Sequence, residues 1–478
     1  MKFKLTFLFL LLINFTSFGQ IPDKFQYLID QGEYTKVQQL MREELATNLQ
    51  LSPTLKESIT FEIERLERIK KDFTKTRQQV VEYIKQYFPD ISEKDLEKWE
   101  KEKSLEYMII DGEKRYFKRA DKNLFRINKK AKQIKKKIEN KKPKTPIRFD
   151  RTKEAEKIVK LSTKYREKFI NPIQFKITYT LWVDPNAVPE GKVIRCWLPY
   201  PREIPQRQTN VQLLFSDPVR QIIANNDDYL QRTVYLEKIA EKNNKTKFQV
   251  VFQFTGYAVY TEINPDLIKP ATINEALSPY IEERSPHIVF SPQLKAVSKK
   301  IVGIETNPYR IAQKLFKWVD DNIPWASARE YSTLKNISKY VYENRHADCG
   351  MKTIFFMTLC RMNGIPTKWQ SGWRTEPGFE GMHDWGEIYF APYGWLPVDV
   401  DNGLTKSSDN RAKWFFLGGM DSYRLIVNDD YAQHLYPAKV FPRSENNDFQ
   451  RGEIEWEGGN LYFDKWDYKF DVEIIERN

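Results

Sequence analysis

The stretch from Ala347 to Asp399 constrains this chain more than any other. It opens Ala347-Asp348-Cys349-Gly350, continues through an apolar helical pattern, MKTIFFMTLCRM, and stops at Asn363-Gly364-Ile365-Pro366. Three aromatic-rich extended segments follow: TKWQSGW, HDWGEIYF and GWLPVDVD. A thiol at a helix start is thus followed by a histidine in one extended segment and an aspartate in the next, the ingredients of a Cys-His-Asp nucleophilic site. Asp348 suits the N-cap, and Gly364 with Pro366 supplies the stop. The first-turn N–H groups of such a helix favour an anion, so Cys349 is expected to have a lowered pKa and Gly350 to help hold an oxyanion. His383 would take the thiol proton, and Asp399 would fix the tautomer and orientation of the imidazole. Strict alternation puts His383, Trp385 and Glu387 on one face, with Trp385 shielding the imidazole from water. Bringing Asp399 to His383 requires a bulge or an odd-length loop between the two segments; Asp401 and Asp384 are the competing carboxylates.

Asp348-Cys349-Gly350 before a helix, Gly364-Ile365-Pro366 before a strand, His383-x-Trp385-x-Glu387-x-Tyr389 and Gly394-Trp395-x-x-x-Asp399 together resemble the transglutaminase-like superfamily, a papain-like fold. The resemblance covers roughly residues 300–405 and implies acyl transfer through a thioester at Cys349, with His383 and Asp399 completing the triad. In relatives an aromatic stands near the cleft at about the place of Trp325, whose indole N–H could assist the oxyanion; as a plain sequence feature Trp325 reads first as a packed aromatic. Cys196 and Cys360 read as core residues. His346 reads as a loop residue rimming the cleft, and His287 and His434 fall in no constellation. The calcium dependence of some animal relatives finds no metal-ligand spacing here, so no metal and no cofactor are expected.

Of 478 residues, the first nineteen have the pattern of a secretory signal: Lys2 and Lys4, an apolar run through Ile13, and small Ser17 and Gly19. No later run reaches the eighteen or so apolar residues of a membrane span. The expectation is an exported chain, periplasmic or extracellular. The net charge of +12 is partly local, with nine lysines against Glu139 between Lys129 and Lys144. That run reads first as a solvated helix end and otherwise as contact with an anionic surface. No nucleic-acid motif is present.

The expected fold class is α+β. A helical N-terminal domain spans 20–145, a linker helix 146–170, a β-sandwich 171–284, and a transglutaminase-like catalytic domain with C-terminal strands 285–478. Tyr34, Val37, Met41 and Leu45 form one helical stripe, and Ser52-Pro53 and Ser92-x-x-Asp95 open two further helices. A hairpin turns at Asp111-Gly112, and the first linker candidate lies at 141–148. Such a helical unit would bind a partner, shield the active cleft, or only pack. Alternation of Phe175, Ile177, Tyr179, Leu181 and Val183, and of Phe248, Val250, Phe252 and Phe254, signals about seven strands of a sandwich between 171 and 262. Asn307-Pro308 caps a helix burying Ile311, Leu315 and Trp318. The expected function is thiol-dependent acyl transfer on protein or peptide amides, hydrolysis before cross-linking. The alternatives are a protein-glutamine transglutaminase and a non-catalytic binding or scaffold module of the cell envelope.

Overall fold

The computed structural model describes residues 21–140 and 149–475. The expected signal segment, the linker at 141–148 and the last lysines of the basic run lie outside the described residues. Two compact units divide the chain: one takes the described residues up to Lys70 with Ile109–Glu113, the other Lys71–Met108 and the residues from Lys114 on.

The smaller unit is built from α1 (Asp23–Asp30), α2 (Tyr34–Thr47) and most of α3 (Pro53–Asp72). Its buried residues include Phe25, Val37, Met41, Ile59 and Leu66, so the helical stripes read from the sequence are the packed faces. Strands β1 (Tyr107–Ile110) and β2 (Glu113–Tyr116) form the expected hairpin, with Asp111 and Gly112 both at positive φ (49° and 81°). The Asp111 carboxylate accepts from Thr35 N (2.8 Å) and Thr35 Oγ1 (2.6 Å), tying the turn to the start of α2.

The larger unit begins with α4 (Arg77–Lys85), α5 (Glu93–Lys101), α6 (Ala120–Ile127), α7 (Lys129–Glu139) and α8 (Arg151–Tyr165). Ser92 and Asp95 make the capping box expected at α5. In the basic helix α7, Ala131 is buried and Lys135 lies 5.3 Å from the Phe125 ring centre, so one side of the lysine run packs rather than facing water.

Six strands, not seven, fill the next segment: β3 (Phe169–Val183), β4 (Val193–Pro199), β5 (Gln208–Asp217), β6 (Gln221–Ile223), β7 (Thr233–Ile239) and β8 (Thr246–Val259). The inward residues of β3 and β8 are those the alternation marked, all buried. There follow α9 (Pro292–Val302), α10 (Pro308–Asn322), α11 (Ile337–Asn344), α12 (Cys349–Arg361), β9 (Thr367–Glu376), β10 (Phe379–Phe390), β11 (Gly394–Val398), α13 (Asn410–Lys413), β12 (Arg424–Asn428), β13 (Glu453–Trp456), β14 (Gly459–Leu461) and β15 (Trp466–Ile475). Helix α10 is capped by Asn307 as expected, but Phe316 and Val319, rather than Trp318, complete its buried face with Ile311 and Leu315.

One antiparallel sheet, ordered β11-β10-β9-β12, carries the site. Two others, β14-β13-β4-β7-β6 and β15-β3-β8-β5, form the sandwich. The strands after residue 450, expected to continue the sheet of the 285–478 segment, pair instead with β4 and β3; β15 runs along β3 from Trp466↔Val183 to Ile475↔Gln174. The reason is burial: Trp466 is core, and Tyr468, Phe470 and Val472 pack onto the cluster that the β3 side chains begin. That cluster also takes Trp373, Leu425 and Val427 from β9 and β12, so sandwich and site sheet share one core.

Candidate active site

Helix α12 is buried along its whole length from Gly350 to Arg361, which is why its sequence is apolar all round. Asp348 caps it, accepting from Met351 N at 3.0 Å. Cys349 is half-buried at its first position, whereas Cys196 and Cys360 are buried and free. Gly350 has no space for a side chain. A Cβ there would stand 2.2 Å from Tyr331 Oη, 2.6 Å from Asp384 Oδ2 and 2.9 Å from the Trp369 ring. The helix start is therefore pressed against the sheet; on β10 a Cβ at Gly386 would meet Lys368 O of β9 at 2.8 Å, with Thr353 Cγ2 of α12 at an ordinary 3.7 Å.

His383 and Asp399 meet: Nε2 to Oδ2 is 2.7 Å. The hairpin that joins them pairs Phe390 with Gly394 and Gly386 with Val398 without a break, across the three residues Ala391–Tyr393. An odd-length loop thus supplies the parity, and no bulge is needed. Arg374 Nη2 also reaches His383 Nε2 (2.8 Å), and Arg424 Nη1 donates to Asp399 Oδ2 (3.0 Å). Asp399 Oδ1 accepts from the N–H groups of Asp401 and Asn402 (3.1 and 3.0 Å). Trp385 stacks beside the imidazole (centroids 5.9 Å, planes 29° apart) and is fully buried. Burial pushes the Asp399 carboxyl upward, but His383 and Arg424 outweigh it and hold the group well below the usual carboxylate range. Burial, then the Arg374 charge, bring His383 down to about 4, so its ring is neutral.

Cys349 is not joined to this pair; no hydrogen bond links it to His383. Its Sγ lies 3.3 Å from Asp384 Oδ2. Successive strand residues point to opposite faces, so Asp384 and Gly386 face α12 while His383 and Trp385 face Asp399. Asp384 is anchored by Gln450 Nε2 (2.8 Å to Oδ1), and Tyr331 Oη, which donates to Asp348 Oδ1 at 2.7 Å, comes within 3.5 Å of Asp384 Oδ2. The expected low thiol pKa is reversed: burial and the carboxyls of Asp384, Asp348 and Asp401 push Cys349 well above its ordinary value. Burial also carries Asp348 up to about 6. The helix N-terminus favours the thiolate, but burial and the neighbouring carboxyls outweigh its fraction of a charge. Asp401 pairs with Lys352 (3.0 Å).

The remaining sequence candidates fall differently. Trp325 is not packed in the core; it is 42% exposed, and its segment bridges in parallel to Ala347, two residues before Cys349. His346 is buried against Tyr340 rather than rimming a cleft. Sequence reading missed Asp384 as the thiol's neighbour, and Tyr331, Arg374, Arg424 and Gln450 as its setting. The available signal was glycine at 350, which marks where the helix start meets the strand face that carries Asp384. Among the described residues no cluster of His, Cys, Asp and Glu is suited to a metal ion, and no helix is long and apolar enough to cross a membrane.

Residues 295–400 match the family profile of the transglutaminase-like superfamily, and that span holds Cys349, His383 and Asp399 in order. Over this segment the chain is similar to the transglutaminase-like superfamily. Among solved structures it is similar to a candidate cysteine protease from Cytophaga hutchinsonii (14% identity, 65% of this chain and 93% of that one, TM-score 0.43). It is also similar to the periplasmic domain of TgpA from Pseudomonas aeruginosa (10% identity, 49% of this chain and 93% of that one, TM-score 0.24). At such TM-scores these likenesses carry no weight for the chemistry. No curated protein matches the chain.

Proposed function

We propose that this is an exported, thiol-dependent acyl-transfer enzyme acting on protein or peptide amides, with water as the favoured acceptor. Cys349 is the nucleophile, and His383, oriented by Asp399, is the acid–base group. The observation that carries this reading is the 2.7 Å His383–Asp399 pair one residue from the carboxyl that touches a half-buried thiol at a helix start. Export rests on the signal pattern of residues 1–19. The thiol attacks the amide carbon, the first-turn N–H groups of α12 receive the oxyanion, and the amine leaves with a proton from the acid–base group. Water then cleaves the thioester; an amine in its place would make the product a cross-link.

The 3.3 Å contact favours a second reading of one role, in which Asp384 rather than His383 accepts the thiol proton. Turnover of peptide amides, with and without added amine, separates the possibilities. Cys349→Ala should fall to background. If His383 is the base, His383→Ala should be nearly as poor and Asp399→Asn partly active, while Asp384→Asn keeps activity; if Asp384 is the base, the order inverts. Wild-type turnover by a folded Cys349→Ala variant would end the catalytic reading.

A further inference from the structure

Helix α6 lies outside the span matched by the family, yet it grips the strand of chain that flanks Cys349. Asn123, itself buried, closes both arms of its amide on one residue: Nδ2 donates to Ser327 O (2.8 Å) and Oδ1 accepts from Ser327 N (3.0 Å). Arg126 Nη1 donates to Ser327 Oγ (2.6 Å) and to Asn123 Oδ1 (3.1 Å), while its guanidinium lies 4.7 Å over the Trp325 ring. On its other side the same segment is bonded to the approach to the nucleophile, Ala326 N to Ala347 O at 2.9 Å. Three residues further on, Glu330 N donates to Asp72 Oδ2 (2.9 Å), and Arg329 lies 5.0 Å over the Phe73 ring. The loop from Trp325 to Tyr331 therefore runs between the helical segment and the residues that lead into Cys349.

We propose that Asn123 and Arg126 are positioning residues of the thiol site: they fix Trp325 as a wall beside Cys349, so that α6 sets how large a group reaches the thiol. Arg126 is suited to this because a planar guanidinium can lie flat on an indole face and still use its edge for hydrogen bonds. Asn123 is suited because its amide replaces a backbone partner for Ser327, which would otherwise leave an N–H and a C=O unpaired in a half-buried place. The wall is half-exposed on its free side, where a substrate would pass. The proposal rests on Cys349 being the reactive atom, not on turnover.

The test is alkylation of Cys349 in the full chain, followed by mass spectrometry, with small iodoacetamide and with a bulky biotinylated maleimide. Releasing Trp325 should raise the bulky-to-small rate ratio by about threefold, the equivalent of an exposed cation–π contact. Arg126→Ala, Asn123→Ala and Trp325→Ala should each show it, and the double variant Arg126→Ala/Trp325→Ala should go no further than Trp325→Ala alone. Arg126→Lys keeps the charge but not the stacked plane, so it should behave like Arg126→Ala; should the alanine variant fail to fold, the lysine variant carries the comparison. A wild-type ratio in folded Arg126→Lys, or additive effects in the double variant, overturns the proposal. If wild type consumes no amide yet the ratio shifts as stated, the enzymatic reading fails and the positioning role stands.

Discussion

At Cys349 two opposed effects act on one atom, and their sizes decide the outcome. A helix N-terminus is worth a fraction of a charge, typically under about 1 kcal/mol at an exposed site. Burial and the carboxyls of Asp384, Asp348 and Asp401 act in the other direction and prevail. The resting thiol is therefore protonated at neutral pH, and the reactive anion has to form with substrate in place. Alkylation of the free protein should rise with pH only above the reference thiol value of about 8.5. Asp384→Asn removes the nearest acid and should move the midpoint down. The same shift is a stability statement. A thiol whose folded pKa is raised contributes stability that is complete below about pH 8.5 and is lost as pH rises through the folded value. Iodoacetamide rates across pH 6 to 10 check both; a wild-type midpoint below the reference value would restore the activated thiol that the sequence alone suggests.

Among the elements, α12 and β10 carry the site, and their fit depends on missing side chains. The sequence showed the helix, its cap, its stop and the three strands after it, because each has a local signature: Asp348, Gly364, and alternation through HDWGEIYF. It did not show which strand face meets the helix. Alternation assigns His383 and Asp384 to opposite faces but is silent about which face is covered; only packing decides that, and Gly350 records the decision. Gly350→Ala should cost about 1–3 kcal/mol, the usual range for overpacking, because Tyr331 Oη is held by Asp348 and cannot withdraw freely. Tyr331→Phe removes the nearest clashing atom. The double variant should therefore recover part of the loss, a coupling that denaturant unfolding of the four proteins would measure. Strictly additive losses would mean that the helix start has room that the geometry denies it.

On the scale of the whole larger unit, the sandwich and the site sheet are not independent layers. Trp373 of β9, paired across the strand with Met382, stacks on Tyr179 of β3 (centroids 5.0 Å) and on Phe470 of β15 (4.6 Å). Gln450, in the chain between β12 and β13, holds Asp384 Oδ1 and the carbonyls of His383 and Gly372. No local signal points to this, since a strand's partner hundreds of residues away leaves no mark in its own segment; β15 reads equally well as an extension of either sheet. Its pairing with β3 has a consequence at a distance. A chain ending at Lys465 would lose the edge strand, uncover one face of Trp373 and leave β3 with an open edge. Large-aromatic core losses typically cost about 3–5 kcal/mol, so the thermal midpoint should drop sharply. The effect should also reach the thiol, because β9 and β10 share the register that presents Asp384 to Cys349. The measurement pairs thermal unfolding with iodoacetamide reactivity at pH 8, below the unfolding transition. The expected result is a lowered midpoint together with a Cys349 rate moving toward that of an unconstrained thiol. A truncated chain that unfolds early but keeps the wild-type thiol rate would show that the site sheet holds its register without the sandwich.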